Sequence, residues 1–516
     1  MICLSQGQPV TFRNNFLRDH IFLMTPLSGR MAAPLTRSLS VPPKALLLAV
    51  CTVFCVAQGG LAPAGVGAWL ADPLDTDSGL SASPAQPWTT QTTLPDLPKL
   101  QGLSVAEQAQ IWTLPQLTAY ALAHNPQTAA AWDGLRAQAA GLGMAESAWL
   151  PSLTLNTGFS RRQAVSTVGF TVPARNSANP NLTLSYTLWD FGLRAAKVDA
   201  ARAQEWVAGF TQNQSIQAVA FSVAQAYYQL LGNQSLLLAD EKTVAENRKN
   251  LEAAEVLHRA GQATIGALYQ ARAAMAQAQS TLAAQRQTVR SSEGSLASTL
   301  NLGPQTSLRI APLKLGQKPP QLHSAAETLM QAALTANPAL QQARAQVAVA
   351  RANVRSAEAS GLPSLGVSSS YGYAFQNGYL PGDTWTVGFT LTVPLFTGFN
   401  THYQIRQTQA LRDQAQSNLA VSRSSTEATV WQDFHNFQGA VAAYPGAQSG
   451  LENARKALEV VQAQYRVGQA TIQDVLLAES TLAQARYTLI QNLVNSYVAL
   501  AQLSQAVGMP LGENTP

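Results

Sequence analysis

The sequence predicts an internally duplicated α+β membrane protein, in which long antiparallel coiled-coil helices are joined to short strands of transmembrane type. Three observations carry that expectation. A seven-residue segment occurs twice, as Arg259-Ala260-Gly261-Gln262-Ala263-Thr264-Ile265 and as Arg466-Val467-Gly468-Gln469-Ala470-Thr471-Ile472. Apolar residues recur every seven positions on both sides of each copy. In each half, far from that segment, uncharged stretches alternate polar with apolar residues.

Val244, Leu251, Ala254 and His258 correspond to Leu451, Leu458, Val461 and Tyr465 at an offset of 207 residues. On the other side, Leu268, Met275, Leu282, Val289 and Leu296 are answered by Val475, Leu482, Leu489 and Leu503. A seven-residue apolar period gives each helix a seam that another helix must cover. A Gly just past a helix end supplies the left-handed backbone needed to turn, and Thr264 and Thr471 suit the cap of the next helix. Each copy therefore reads as the tip of a helical hairpin. The repeat also relates Asn125-Pro126 to Asn337-Pro338 and Leu150-Pro151-Ser152-Leu153 to Leu362-Pro363-Ser364-Leu365. A period this long indicates tandem duplication of a domain-sized unit, with repeats over residues 105–312 and 313–516, the second ending in a short tail.

In chain order, residues 45–56 (ALLLAVCTVFCV) form an apolar run preceded by Arg37 and Lys44 and followed by Ala62-Pro63-Ala64. Such a run is short for a membrane span and fits a secretory signal, so residues 1–64 read as a signal peptide behind an over-called start. A buried core helix is the plainer alternative. Cys3, Cys51 and Cys55 all lie in this leader, so the mature chain has no cysteine for disulfides or thiolate metal sites. Its removal leaves 28 basic against 27 acidic residues. The basic balance of the full chain is then no argument for nucleic acid. Residues 65–104, rich in Pro, Ser, Thr and Ala, read as an extended N-terminal segment.

Each repeat then reads helix, two strands, long helix, tip, helix. In the first, a helix over about 115–148 precedes strands at 152–159 and 181–188, whose period-two alternation carries no charge. Helices over about 193–258 and 265–301 follow. The second repeat gives helices at about 325–359, 399–465 and 472–507, with strands at about 365–375 and 385–396. The long helices would reach about 100 Å, and the shorter ones stacked end to end would match them. Aromatic residues gather at or near the strand ends: Trp189, Phe191, Tyr371, Tyr373, Phe375, Tyr379, Trp385, Phe389, Phe396 and Phe399. Aromatic girdles with alternating faces are what a transmembrane β-barrel needs, although a soluble sheet with aromatic packing shares part of the pattern. Four strands cannot close a barrel, and rods with apolar seams must pack beside copies of themselves.

The strand exits Leu188-Trp189-Asp190-Phe191-Gly192 and Pro394-Leu395-Phe396-Thr397-Gly398-Phe399, the segment YRVGQATIQDVL beginning at Tyr465, and the duplication resemble the TolC-type outer-membrane efflux channel family (outer membrane factor). The resemblance spans residues 115–509. It implies a homotrimer with four strands per chain and twelve per barrel, embedded in outer-membrane lipid of a Gram-negative bacterium. A periplasmic helical barrel would continue it inward. It further implies export of solutes or proteins in a tripartite efflux or type I secretion system, with a periplasmic adaptor (membrane fusion) protein and an inner-membrane pump of RND, ABC or MFS type. The tips at Arg259, Gly261, Arg466 and Gly468 match the adaptor-docking part of that family, while the glycines also simply close the turns. Tyr465 and Asp474 match its periplasmic gate. Ala470 and Leu477 depart from the pattern where the family has a linking arginine and a second aspartate. Asp474 also fits a first-turn acid favoured by a helix N-terminus.

No catalytic, cofactor or metal site is expected. His124, His258, His323, His402 and His435 are scattered without ligand spacing, and Asp433 and His435 do not share a helix face. Met144, Met275, Met330 and Met509 are too dispersed for a soft-metal relay. There is no phosphate loop or nucleophile elbow, so an enzyme is not expected. A periplasmic adaptor would have one hairpin between soluble β domains. A structural surface coiled coil would run its heptads on without proline-bounded strand pairs. These are the two alternatives.

Overall fold

The computed structural model describes residues 110–163, 173–311, 318–377 and 380–510, all within one compact unit, Pro98–Pro516. The expected signal peptide, the extended segment and Tyr379 lie outside the described residues.

A short strand β1 (Ile111–Trp112) leads into α1 (Leu114–His124) and α2 (Pro126–Glu146). The first strand arm is β2 (Ser152–Asn156) with β3 (Phe159–Arg162), and the second is β4 (Arg175–Ala178) with β5 (Asn181–Trp189). Helices α3 (Leu193–Arg259) and α4 (Ile265–Thr299) form the first hairpin, followed by β6 (Arg309–Ile310), which pairs in parallel with β1. The second half repeats the plan with α5 (Ala326–Ala336), α6 (Pro338–Ala359), β7 (Ser364–Gln376), β8 (Gly382–Thr392), α7 (Asn400–Arg466) and α8 (Ile472–Val507). Helices α3 and α7 are each 67 residues long. That is about 100 Å of rod.

The single leading helix expected in each half is two helices. Asn125 ends α1 in extended backbone and caps α2, its side chain accepting from the Gln127 N–H at 2.8 Å, with Pro126 in the first turn. Asn337 and Pro338 repeat the arrangement, with Asn337 accepting from the Leu340 N–H at 3.1 Å. A proline lacks the N–H that a continuous helix needs and tolerates only a first turn, so the dipeptide breaks the rod. The same asparagines tie the stack together. Asn125 Nδ2 donates to the Thr299 carbonyl at 3.1 Å and Asn337 Nδ2 to the Ala506 carbonyl at 2.8 Å. α2 and α6 therefore start beside the ends of α4 and α8, and α1 and α5 pack at the joints. There Leu117, Ala121, Trp112 and Leu296 bury themselves against Val219, Val223 and Leu230 of α3. Leu329 and Ala333 do the same against Val430 and Phe434 of α7.

The heptad seam is buried. Leu268, Met275, Leu282, Val289 and Leu296 of α4 and Val475, Leu482, Leu489 and Leu503 of α8 all lie in the interior. The heptad position absent from the apolar series is Ser496, fully buried, whose hydroxyl donates to the Leu493 carbonyl at 2.7 Å. That bond satisfies a polar group that burial would otherwise leave exposed to no partner.

Strand boundaries also differ from expectation. The first-half strands are interrupted at Thr157–Gly158 and at Asn179–Pro180, and the last strand stops at Thr392 instead of Phe396. Pro394 has no N–H for the ladder, which accounts for the early stop. The resulting antiparallel sheet runs β2, β5, β7, β8, with β3 and β4 extending it beside the far end of β7.

Candidate functional site: channel wall and hairpin tips

The register separates the sheet into two chemically distinct faces, because directly paired residues of antiparallel strands share a face. One row joins Leu155, Leu182, Tyr371 and Trp385, and the next joins Leu153, Leu184, Ser369 and Val387. Below them lie Tyr186, Val367 and Phe389, then Leu365 and Leu391. The opposite face is small and polar: Ser152, Thr154, Asn156, Thr183, Ser185, Gly366, Ser368, Ser370, Thr384, Thr386 and Thr390. The apolar side chains are bare in a single chain, with Trp385 at 75%, Phe389 at 71% and Leu155 at 68% exposure. From Leu365 to Phe375 is about 33 Å of strand, or about 25 Å of height at a tilt of about 40°, the depth of an outer-membrane apolar band. Within the described residues, the outer edges of β2 and β8 have no strand partner.

The aromatic residues fall at three levels. Tyr371, Tyr373 and Trp385 stand toward the hairpin end, with Phe375 and Phe159 one row further out. Trp189, Phe191 and Phe396 stand at the helix end, where Trp189 meets Phe191 edge to face at 6.0 Å and Phe396 meets Phe399 at 5.5 Å. Phe389 departs from the expected girdle: it lies within the band, beside Val367. The turn into each long helix needs two successive left-handed residues. Phe191-Gly192 (φ 49° and 91°) supplies them in the first half and Gly398-Phe399 (φ 62° and 63°) in the second. A phenylalanine there carries strain that a glycine would not.

Beneath Trp189 lies a junction whose burial the i,i+4 spacing of Asp190 and Arg194 does not by itself reveal. Asp190 and Arg194 are buried together, with Nε to Oδ2 at 2.9 Å. The Asp190 carboxylate also accepts the Arg194 N–H at 2.9 Å and the Gly192 N–H at 3.3 Å. The guanidinium donates to the carbonyls of Ala148 and Leu188 and lies 4.4 Å from the centre of the Trp149 ring. This fixes strand arm to helix. At the corresponding place in the second half stand Thr397 and Thr401, with their hydroxyls 3.2 Å apart.

At the other end, Gly261 (φ 72°) and Gly468 (φ 75°) close the tips, where an L side chain would be strained. Gln262 N donates to the Leu257 carbonyl and Gln469 N to the Gln464 carbonyl, at 2.9 and 2.8 Å, so the turns superpose in their bonding. Arg259 and Arg466 are exposed one turn back, and Arg259 Nε donates to its own helix at the Glu255 carbonyl. The two tips pack on each other: Tyr465 and Ile472 join Ala254 and Ala271 in one cluster. The Tyr465 hydroxyl is buried with no hydrogen-bond partner among the described residues, and burial raises its pKa. Asp474 completes a capping box. Its Oδ2 accepts from Thr471 N at 2.8 Å and Thr471 Oγ1 at 2.7 Å, and its own N–H donates to Thr471 Oγ1 at 3.3 Å. These bonds, the Thr471 hydroxyl first, lower its pKa. Leu477, three residues on along the same helix face, is exposed.

Two turns above, a polar node pins α8 to α3. The Glu479 side chain is buried and accepts from Asn250 Nδ2, while its Oε2 has no partner among the described residues. Arg486, seven residues further on, makes a two-pronged pair with Glu246 at 3.0 and 2.9 Å. Burial raises the Glu479 pKa to about 7, with Asn250 and Arg486 opposing and Glu246 adding to it.

Among the described residues no group of three or more His, Cys, Asp or Glu side chains could hold a metal ion. No described helix is long and apolar enough to cross a membrane. Helical hairpins about 100 Å long, joined to a sheet with one mainly apolar and one mainly polar face, are the architecture of an outer-membrane channel protein. The chain belongs to the outer membrane efflux protein family, whose model matches residues 117–302 and 329–509. It is 28% identical to protein CyaE of Bordetella pertussis over 86% of this chain and 90% of that one. It is 25% identical to the outer membrane efflux protein BepC of Brucella suis, over 73% and 80%. The crystal structure of the outer membrane protein VceC from Vibrio cholerae shares the fold, with a TM-score of 0.68 and 21% identity over 78% of this chain and 97% of that one. The protein is thus an outer-membrane efflux channel, with its strands in the outer membrane and its helices in the periplasm. The adaptor and surface coiled-coil alternatives fall away.

Proposed function

We propose that three copies of the chain close the four-stranded sheets into one twelve-stranded barrel, continued inward by a tube of six hairpins. The observation that carries this reading is the sheet itself, with one mainly apolar face and, among the described residues, two open edges. An exposed apolar sheet edge is an aggregation site unless another strand covers it, and in lipid every backbone N–H and C=O must find a partner. Copies of the same sheet satisfy both demands.

In this reading Trp189, Phe191 and Phe396 anchor the inner membrane–water boundary, and Tyr371, Tyr373 and Trp385 the outer one. Arg259 and Arg466 meet a periplasmic adaptor, which links the channel to an inner-membrane pump of RND, ABC or MFS type. Tyr465 and Asp474 stand at the periplasmic gate, with one acidic ring where the resemblance would have two. The chain works by shape and charge rather than by catalysis. The wall facing the solute is the Ser/Thr/Asn/Gly face, which lets polar solutes pass without holding them. The purified protein, added to a planar lipid bilayer, is expected to give discrete conductance steps and to migrate as a heat-sensitive trimer. Monomers that leave the bilayer silent would refute it.

A further inference from the structure

The polar face of the sheet is neutral almost throughout. Among its described strand residues, only Arg162 and Arg175 are charged. They stand directly opposite one another at the end furthest from the helices. The face assignment follows from the register. Phe159 pairs with Ala178 and Ala178 with Phe375, which continues the apolar row series of Tyr371 and Tyr373. Arg161, paired with Asn176, shares that apolar face, so Arg162 and Arg175 point to the other side with Ser160 and Ser177. The two serine hydroxyls are 2.8 Å apart in the row just below. Asp383, the acid nearest this end on β8, pairs with Tyr373 and lies on the apolar face.

Like charges directly opposite in a ladder work against the sheet. Two positive charges paired across one face of the ladder suit one ligand class, because a guanidinium matches the oxygens of a phosphate or carboxylate. We propose that Arg162 and Arg175 form an anion-binding collar at the outer mouth of the channel, selecting for solutes that carry phosphate or several carboxylates. The proposal rests on the trimeric barrel, which would bring six arginines to one rim. A rim of one sign raises the local concentration of counter-ions and falls off with salt.

The test uses inorganic tripolyphosphate on single channels in a planar bilayer. Protein added to one chamber keeps its long polar helices on that side, so the other chamber faces the collar. Tripolyphosphate from the far chamber is expected to block wild-type current, and high salt is expected to relieve the block. Arg162→Gln with Arg175→Gln should leave conductance steps and heat-sensitive trimers intact while weakening block at least about tenfold. Arg161→Gln, on the other face, should leave block unchanged. Block that survives the double substitution, or that Arg161→Gln removes equally, would overturn the collar. Channels that never form in the wild type would instead overturn the barrel reading beneath it.

Discussion

Replacing Glu479 by Gln isolates the node between α8 and α3. The carboxyl is 4% exposed, accepts one hydrogen bond from Asn250, and has a second oxygen without a partner. Its pKa rises from 4.5 to about 7, chiefly through burial. The charged groups around it are Glu246 of α3, which pushes the same way, and Arg486 of its own helix, which opposes. Arg272 on α4 and Arg455 on α7 are exposed and engaged with Glu255 and Glu459. A raised carboxyl pKa means that the packed interface prefers the protonated form. Its contribution is complete below pH 4.5 and is lost as the pH climbs through about 7. At about 1.4 kcal/mol per pH unit, the difference amounts to roughly 3 kcal/mol per chain. Glutamine keeps the acceptor for Asn250 and removes the titration. Thermal unfolding should therefore show wild type and Glu479→Gln equal near about pH 4, with the variant the more stable near about pH 8. Hydrogen exchange would localise the gain to the amides of α3 around Asn250. Parallel pH profiles for the two proteins would show that Glu479 is ionised throughout and that burial does not hold it protonated.

Other substitutions test the two ends of the molecule. Leu184 shares the apolar face with Leu153 and Val387, so Leu184→Arg should cost about 2–4 kcal/mol per chain in the membrane and deplete trimers. Thr183→Arg, on the polar face, should leave trimer yield normal, and the reverse pattern on gels would exchange the faces. Arg259→Glu with Arg466→Glu should preserve trimers and abolish efflux measured in cells; undiminished efflux would move adaptor docking off the tips. Current through the wild type should be blocked by a trivalent cation, less so after Asp474→Asn and more so after Leu477→Asp. Because Asp474 also caps α8, Asp474→Asn should retain much of the helix start, and block insensitive to it would take Asp474 out of the pore.

Much of the fold was legible because the two periods are local. Leu268 through Leu296 stand seven apart, and Leu182, Leu184 and Tyr186 stand two apart, so the seam and the sheet faces follow from spacing alone. The Asn125-Pro126 and Asn337-Pro338 pairs were visible as repeat markers. Their more basic meaning, a capping asparagine before a first-turn proline, was also written there and splits the leading helix. The node is different. Glu479 and Asn250 are 229 residues apart, and Glu246 and Arg486 are 240 apart. Only the packing of the first hairpin against the second brings them together. A trace existed in Ile472, Glu479, Arg486 and Leu493, a second seven-residue stripe with two charges where a buried seam would be apolar. The Asp190–Arg194 junction sits at i,i+4 but becomes buried only through Trp149 and the strand ends. Arg162 and Arg175 face each other only once the interrupted arms β3 and β4 are in register.

Barrel closure between copies is what makes the sheet a channel wall, and disulfide trapping reads it directly. The only cysteines of the sequence are Cys3, Cys51 and Cys55, so the strands offer a clean background. A scan pairs one cysteine on β2, at Ser152, Thr154 or Asn156, with one on β8, at Thr384, Thr386 or Thr390, and oxidises the protein in its membrane. β2 and β8 lie at opposite edges of the sheet in one chain, with β5 and β7 between them. Closure predicts bonds between chains only, at the pairs in register, giving a covalent ladder that stops at three. Bonds within single chains, or a ladder that runs past three, would contradict it.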